Sequence, residues 1–226
     1  MTIGACAKFL LAGDKEKFLA TIITPIAIRK VLFPLFAFNL EVSRIPWVTS
    51  DTILAEIRLN WWEEEIKKIA LGQVVKNHEI LSPLADMIRD YDLPHELFLS
   101  IINARRFDIY SKPHNSLETQ IVYIKSIFSS LFELAYRSCS RNMNKSNIEC
   151  SRDFGFSLGV ANLMLAFPRL VSGGRHPIFY KCNDKNLNKV TAQHPEELLE
   201  GFVTLAEKGL NAFYRGRKNL NLLQRN

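Results

Sequence analysis

Paired cysteines and metal-binding motifs are missing from this sequence. The four cysteines form no C-x-x-C pair and have no histidine at ligand spacing; they are Cys6, Cys139, Cys150 and Cys182. This pattern argues against a zinc site and against a disulfide framework. We therefore expect reduced thiols and a cytoplasmic location.

The motifs of nucleophilic catalysis are absent as well. The histidines form no H-E-x-x-H motif, and no serine or cysteine motif surrounds them. They fall near predicted loops or helix ends, at His78, His95, His114, His176 and His194. Nucleophilic catalysis therefore has no support in the sequence.

Long apolar runs and charge blocks of one sign are also lacking. No window holds the roughly 18 to 20 apolar residues that would span a bilayer, so we expect only peripheral membrane contact. The formal net charge of +6 is spread along the chain and alone fits an anionic ligand, a membrane surface or nucleic acid. Because nucleic-acid binding would rest on charge alone, we predict that nucleic acid is not a partner.

Strand-like alternation, internal repeats and linkers are not seen, and helical periodicity takes their place. Seven or eight helices in one chain of 226 residues, 47% of them hydrophobic, predict a single all-α domain over residues 1–226. The helices are predicted at residues 15–23, 29–45, 51–71, 78–89, 94–108, 118–137, 146–168 and from Pro195 onward.

The helix at residues 29–45 is apolar on nearly every side, which predicts a central position in the core. Pro46 is expected to end it, because proline cannot continue the hydrogen-bond ladder. The next helix should begin near Asp51, with Ser50 or Asp51 as its cap. Its buried face is predicted from apolar residues four positions apart, namely Ile53, Ile57 and Trp61, and Trp62 and Ile66.

Two glycines mark a close helix contact later in the chain. Ser146 and Glu149 have the spacing of a capping box, which predicts a helix start at that point and a run to Pro168. Gly155 and Gly159 lie four residues apart on one face of that helix. Each costs about 1 kcal/mol relative to alanine, so we expect close backbone packing to compensate.

The segments Pro25–Ile45 and Ile57–Ile66 resemble the squalene and phytoene synthase family. Its members carry a basic pair, then a Leu-Tyr-Ala-Phe-like helix and then Arg-Leu-x-Trp-Trp, here matched by Arg29 with Lys30 and by Arg58–Trp62. The resemblance covers roughly Lys15 to Tyr180. It implies a helical bundle of the isoprenoid synthase type with a central apolar cavity, in which two prenyl diphosphates are joined head to head. Two facing Asp-rich clusters would bind the magnesium that neutralises the leaving diphosphate.

The acidic positions of that family pattern are not acidic in this chain. Aligned on Ala37 and Phe38, the first cluster falls on Ser43, Arg44 and Trp47. Aligned on Gly155, the second cluster keeps Asn162 but falls near Ala166 and Leu170. The resemblance therefore implies no metal site, no cofactor and no ordinary synthase reaction. The resemblance still implies binding of a prenyl diphosphate or of another isoprenoid or lipid. The residues expected to bind it are Arg29, Lys30, Phe36, Asn39, Asn162 and Arg175.

One branch of the family is more similar. Phe36–Val42 (FAFNLEV) and Leu163–Pro168 (LMLAFP) look like the Asp-poor branch that contains assembly factors for respiratory complex I. This implies a role in membrane-linked assembly, with a protein partner at a membrane and a location in the cytoplasm or at the inner-membrane surface. The alternative is an active phytoene or squalene synthase that uses magnesium. For that alternative, Asp86, Asp90 and Asp92 would have to line the central cavity.

Other acidic and aromatic residues have plainer interpretations. Glu63 with Lys67 and Glu64 with Lys68 have the i, i+4 spacing of ion pairs, which favours a solvated face over a metal cluster. Asp108 is expected to pair with its neighbours Arg105 or Arg106. The two tryptophans, Trp61 and Trp62, are expected in the core rather than in an aromatic cage.

Overall fold

The computed structural model describes residues 3–49, 51–110, 113–140, 144–175, 177–179 and 195–223, and every regular element in these ranges is helical. The all-α prediction is confirmed. The α-helices, with labels used throughout, are α1 Ile3–Gly13, α2 Lys15–Ile22, α3 Ile26–Val48, α4 Thr52–Ala70, α5 Leu81–Asp90, α6 His95–Tyr110, α7 Leu117–Ile124, α8 Ser130–Cys139, α9 Lys145–Ser172 and α10 Pro195–Leu223.

The chain divides into two compact units. Unit 1 comprises Met1–Ile109 and Glu133–Met143, and unit 2 comprises Tyr110–Phe132 and Asn144–Asn226. The single domain over residues 1–226 stays a prediction. The helix α1 was not predicted from the sequence, and its buried residues are Cys6 and Leu10.

The core of unit 1 is built around α3, as its apolar sequence predicts. Phe38 is fully buried, and its ring meets the edges of Trp62 on α4 and Phe98 on α6 at centroid distances of 5.3 and 5.4 Å. Such edge-to-face aromatic pairs add roughly 0.5–1.5 kcal/mol beyond the burial of their area. The central position predicted for this helix is therefore confirmed.

The end predicted for α3 at Pro46 is wrong. The helix contains both Pro34 and Pro46 and continues to Val48, after which Thr49 is extended. Pro46 lies in the last turn of α3, so the one backbone hydrogen bond that it removes is close to the helix end. The loss therefore does not interrupt the rest of the helix. Its side chain is also buried beside Ile45, and this burial offsets the loss.

The start of α4 is confirmed and half of its predicted buried face is wrong. The Asp51 carboxylate accepts from the backbone N–H of Ile53 at 2.9 Å and caps the helix. Trp62 and Ile66 are buried, but Ile53 and Ile57 are 70% and 57% exposed. The i, i+4 spacing identifies an apolar face without showing whether another element packs on it.

The predicted helix over residues 118–137 is confirmed, with one irregularity. The run from Leu117 to Cys139 is continuous, but Lys125–Ser129 forms a π-helical turn between α7 and α8. A π-turn inserts one extra residue into the helix. The Ser129 hydroxyl lies in this turn and donates to the Arg152 carbonyl on α9 at 2.8 Å.

Both predicted ends of α9 need correction. Asn144, rather than the capping box of Ser146 and Glu149, caps the helix: its side chain accepts from the Ser146 N–H at 2.9 Å. The helix also passes Pro168 and ends at Ser172. The Asn144 side chain reaches a backbone N–H of the first turn, which the helix itself leaves without a partner. Pro168 again lies close to the helix end.

The statement that no segment could span a bilayer is also wrong. By length and composition alone, α9 is apolar enough to do so, and it is the one such helix among the described residues. It is also the core helix of unit 2, where Phe156 and Val160 pack with Ile124, Leu205 and Ala212. The core helix of a folded unit can have the same length and composition as a membrane span, and α9 is accounted for by its packing in unit 2.

Candidate functional site

Four positions on α3 form one face of the helix, and two of them, Phe36 and Asn39, are predicted binding residues. Phe36, Asn39, Ser43 and Trp47 follow one another at steps of three, four and four residues, which places them along one side of a helix. Phe36 and Ser43 are half-buried, and Trp47 is 51% exposed. The Ser43 hydroxyl donates to the Leu40 carbonyl of its own helix at 2.8 Å. A hydroxyl and an indole therefore stand where the family pattern has carboxylates.

Asn39 is the most unusual residue of this face. Its side chain is 5% exposed, and its Oδ1 has no hydrogen-bond partner among the described residues. A buried acceptor left unpaired costs roughly 1–3 kcal/mol. An O–H or N–H donor on a ligand, or an ordered water, would satisfy it.

The basic pair stands in the first turns of the same helix. Arg29 is half-buried, and its Nε donates to the Thr24 carbonyl at 2.7 Å, which fixes the direction of the guanidinium group. Lys30 is exposed. The N-cap, Pro25, gives the helix no side-chain hydrogen bond. Two cations beside an uncapped helix N-terminus favour an anionic group such as a phosphate.

The family positions on α9 also share one face. Gly155, Gly159, Asn162, Ala166 and Leu170 follow at steps of four, three, four and four residues. The last three are half-buried.

The close contact predicted for the glycines is confirmed. A Cβ at Gly155 would come within 2.9 Å of the Phe128 carbonyl carbon and of Phe132 Cβ. At Gly159 it would lie 2.6 Å from Ile124 Cγ2. Real Cβ atoms do not come so close, so both positions require glycine for this packing.

The six predicted binding residues belong to separate units. Arg29, Lys30, Phe36 and Asn39 all lie on α3 in unit 1. Asn162 on α9 and Arg175 after it lie in unit 2. Arg175 is half-buried, and its backbone N–H donates to the Leu170 carbonyl at 2.9 Å. Each group is positioned within its own unit, and their joint role stays a prediction.

The aspartates required by the synthase alternative lie on the surface of unit 1. Asp86, Asp90 and Asp92 are all exposed, and the Asp86 carboxylate lies 4.0 Å from the Arg89 guanidinium group. Within the described ranges, no three His, Cys, Asp or Glu side chains lie together in a way that could hold a metal ion. The alternative needs these aspartates in the interior of the fold, and their exposure counts against it.

An ion network between α4 and α6 was only partly foreseen. Arg106 donates to Glu56 at 3.1 Å, to Glu63 at 2.6 Å and to Asn60 at 2.5 Å. The partners of Arg106 on α4 are more than 40 residues away in sequence, so no local spacing predicts the contacts. The predicted pairs of Glu63 with Lys67, at 2.5 Å, and of Asp108 with Arg105, at 3.2 Å, are confirmed.

The predicted pair of Glu64 with Lys68 is wrong. Lys68 pairs with Glu65 at 2.7 Å, and the fully buried Glu65 also accepts from the Lys76 backbone N–H at 3.2 Å. Burial raises the pKa of Glu65, but these two hydrogen bonds outweigh it and hold the pKa below its ordinary value. The hydrogen bond from Lys76, in the loop after α4, holds the Glu65 carboxylate in place. Lys68 therefore pairs with Glu65, three residues before it, and not with Glu64.

The two tryptophans contact His78, which lines an open cavity in unit 1. Trp62 is 2% exposed and Trp61 is half-buried, and both rings contact His78. The His78 Nδ1 accepts from the backbone N–H groups of Ile80 and Leu81 at 3.2 Å and so caps α5. An open cavity of about 480 Å³ is lined by Ala5, Phe9, Glu41, Asn77, His78, Glu79 and Ile80. Two carboxylates in its wall make it a poor site for a diphosphate.

Comparison with known proteins identifies the class of this fold. The family model described as squalene/phytoene synthase matches residues 10–178. This chain therefore belongs to the squalene/phytoene synthase family. The crystal structure of squalene synthase HpnC from Alicyclobacillus acidocaldarius superposes with a TM-score of 0.79 at 19% identity, over 97% of this chain and 83% of that one. At that identity, the likeness shows the fold alone.

Similar curated proteins carry a different name. The chain is 26% identical over 153 residues to the Dictyostelium discoideum homolog of NADH dehydrogenase (ubiquinone) complex I, assembly factor 6, covering 67% of this chain and 42% of that protein. It is 25% identical over 169 residues to the Drosophila melanogaster homolog, covering 72% and 50%, and 21% identical over 129 residues to the human protein, covering 57% and 38%. The matches span half or less of these relatives.

Proposed function

We propose that this protein is a non-catalytic member of the squalene/phytoene synthase family that assists the assembly of a respiratory complex at a membrane. The observation that carries the proposal is the composition of two helix faces. On α3, Ser43 and Trp47 occupy the acidic positions of the family pattern, and on α9 Ala166 and Leu170 do so. None of these side chains is a carboxylate, the ligand by which the family pattern would hold the magnesium that ionisation of a prenyl diphosphate needs.

The family fold is retained without these carboxylates. The aromatic core around Phe38 and the close helix contacts at Gly155 and Gly159 are intact. Selection that keeps a fold while its metal ligands are lost is expected when the surface or the pocket still has a role. The printed names of the similar curated proteins, which are complex I assembly factors, support assembly as that role.

Ligand binding is the second part of the proposal. Arg29 and Lys30 would attract the phosphates of a prenyl diphosphate or a lipid, and Phe36 would contact its apolar chain. The Oδ1 of Asn39, which has no partner within the described part of the chain, would accept a hydrogen bond from a donor on the ligand. Such binding would need no metal cluster, which agrees with the residues present.

The experiment that tests the assembly role is deletion of the gene in its source organism. We expect less mature complex I on native gels and lower NADH:quinone oxidoreductase activity, both restored by the intact gene. A variant with Phe38→Asp, which destroys the buried core of unit 1, should not restore them. Normal complex I in the deletion strain would contradict the assembly role.

A second experiment separates binding from catalysis. Purified protein is incubated with farnesyl or geranylgeranyl diphosphate and magnesium, with diphosphate release measured enzymatically and binding measured by calorimetry. We expect binding without release. The double variant Arg29→Gln, Lys30→Gln should weaken binding at least about tenfold, and Lys208→Gln, an exposed cation on α10, should not. Release of diphosphate with a coupled C30 or C40 product would show that the protein is an active synthase.

A further inference from the structure

The last helix, α10, has a second apolar side that no described element covers fully. Leu199, Val203, Leu210, Phe213 and Leu220 are 62%, 46%, 52%, 39% and 42% exposed. These five residues, the half-buried Ala206 and the exposed Arg217 lie along α10 at alternating spacings of four and three residues. We call these seven positions the outer stripe.

The outer stripe is distinct from the face that α10 uses within unit 2. The inner face carries Leu205 and Ala212, which are fully buried, and two glycines that contact α9. A Cβ at Gly209 would lie 2.9 Å from Val160, and one at Gly216 would lie 3.3 Å from Phe154. The inner face thus packs within unit 2, and from the outer stripe the partly exposed Phe213 also contacts the Phe154 ring of α9, at 5.7 Å between centroids.

The spacing of the outer stripe fits another helix. Alternating steps of three and four residues give a repeat of seven, the period at which apolar residues keep facing a second helix when the two helices wind around each other. The stripe spans three such repeats of a helix of 29 residues, whose length is about 43 Å. A small-molecule pocket or an irregular loop would not require this period.

The charges of α10 specify the direction of that second helix. Its N-terminal half carries Glu196, Glu197, Glu200 and Glu207, with Lys208 next to the midpoint, and its C-terminal half carries Arg217, Lys218 and Arg215, the last paired with Asp153 of α9 at 2.8 Å. Two copies aligned in parallel would set like charges opposite each other. Two antiparallel copies would set the acidic half of each against the basic half of the other.

We propose that α10 is an antiparallel dimerisation helix whose partner is the outer stripe of a second copy of this chain. With the two-fold axis near Leu210, Leu199 faces Leu220 of the other copy, and Ala206 faces Phe213, so that a small residue meets a large one. Glu200 then lies beside Lys218 of the other copy. The acidic N-terminal half disfavours an anionic bilayer as the occupant, since four glutamates would be repelled by it.

Sedimentation velocity over a concentration series tests the association. We expect a monomer–dimer equilibrium for the unaltered protein and a dissociation constant raised at least about tenfold by Leu210→Glu, since each dimer buries two Leu210 side chains. The control is Leu165→Glu, which alters an apolar side chain on α9 that is 80% exposed and lies outside the stripe. Circular dichroism confirms that both variants are folded.

Charge exchange and cross-linking test the direction. Glu200→Lys alone should weaken the dimer, and adding Lys218→Glu to the same chain should restore it. In a mixture of Leu199→Cys and Leu220→Cys proteins, mass spectrometry should find the 199–220 linkage, and Leu199→Cys alone should give no linkage between two copies of residue 199. A monomer at all concentrations, a 199–199 linkage, or a stripe that binds only another protein or vesicles would each overturn the proposal.

Discussion

A single buried imidazole makes unit 2 sensitive to mild acid. His114 is half-buried beside the Tyr123 ring, at 5.2 Å between centroids. Burial lowers the pKa of His114 from 6.5 to about 4, because the charged imidazolium would lose its hydration. The folded protein therefore keeps His114 neutral at pH values where the unfolded chain takes up a proton.

The sign of the resulting pH dependence is fixed by this shift. Between pH 6.5 and about 4 the unfolded chain binds more protons at His114, so the free energy of unfolding should fall as the pH falls through that window. We expect the imidazole proton signals of His114 in NMR to shift with a midpoint near 4. The variant His114→Gln should lose less stability over the same window in urea titrations, and an unchanged slope would contradict the assignment.

The thiols are predicted to differ sharply in reactivity. Burial raises the pKa of Cys6 to about 11 and also raises the pKa of Cys150, whose Sγ donates to the Gly216 carbonyl at 3.2 Å. Burial raises the pKa of Cys139 too, but its thiol is exposed to the reagent while the other two are buried, so iodoacetamide at pH 8 should modify Cys139 and leave Cys6 and Cys150 intact. Peptide mass spectrometry measures the labelling. Labelling of all three at equal rates in the folded protein would contradict it.

At the scale of one helix, Gly155 is the position least able to change. Alanine has the better helix propensity by about 1 kcal/mol, but its Cβ would meet the Phe128 backbone, which cannot move as a side chain can. We expect Gly155→Ala to lower the free energy of unfolding by roughly 1–3 kcal/mol. Chemical denaturation measures the change.

Gly173 provides the matched control for that substitution. It follows the end of the same helix at φ −86°, and a Cβ there would lie 3.4 Å from the nearest atom, which is ordinary contact. Gly173→Ala should change stability by no more than about 0.5 kcal/mol. If both alanines cost the same, the close approach of α9 to Phe128 would not be the cause.

The sequence predicts helices well where their own residues decide the outcome. The Asp51 cap and the end of its helix near residue 71 follow from local chemistry and are confirmed. The close approach at Gly155, which the two small residues on one face predict, is confirmed as well. The predictions that fail depend on the surroundings: Ile57 has the spacing of a core residue but is 57% exposed. Pro46 continues a helix because burial compensates for it.

The candidate site was predictable in its parts and not in its assembly. The family resemblance identified the positions of Asn39 and Asn162, and helical spacing places each on a defined face. That Asn39 is buried with an unpaired oxygen could not be foreseen, since it depends on the side chains around it. The Arg106 network was missed for the same reason: its partners are distant in sequence.

For the whole molecule, the apolar helix α9 gives a direct test of how the protein meets a membrane. Its contacts with α10 and the π-turn would have to be lost before α9 could cross a bilayer. We therefore expect membrane-bound protein to be released by alkaline carbonate, as peripheral proteins are. Retention of the protein in the membrane pellet would show instead that α9 is inserted. The control is a known membrane-spanning protein, which should stay in the pellet.

The π-turn at Lys125–Ser129 has a consequence for how related sequences are aligned. Removing one residue from this segment would leave an unbroken α-helix, so the local backbone would tolerate the loss. Because the π-turn absorbs the extra residue, the side chains from Ser130 onward would keep their places around the helix. A one-residue gap between relatives at this point is therefore structurally reasonable, and a relative with that gap can keep apolar residues in the places of the buried Leu131 and Leu134.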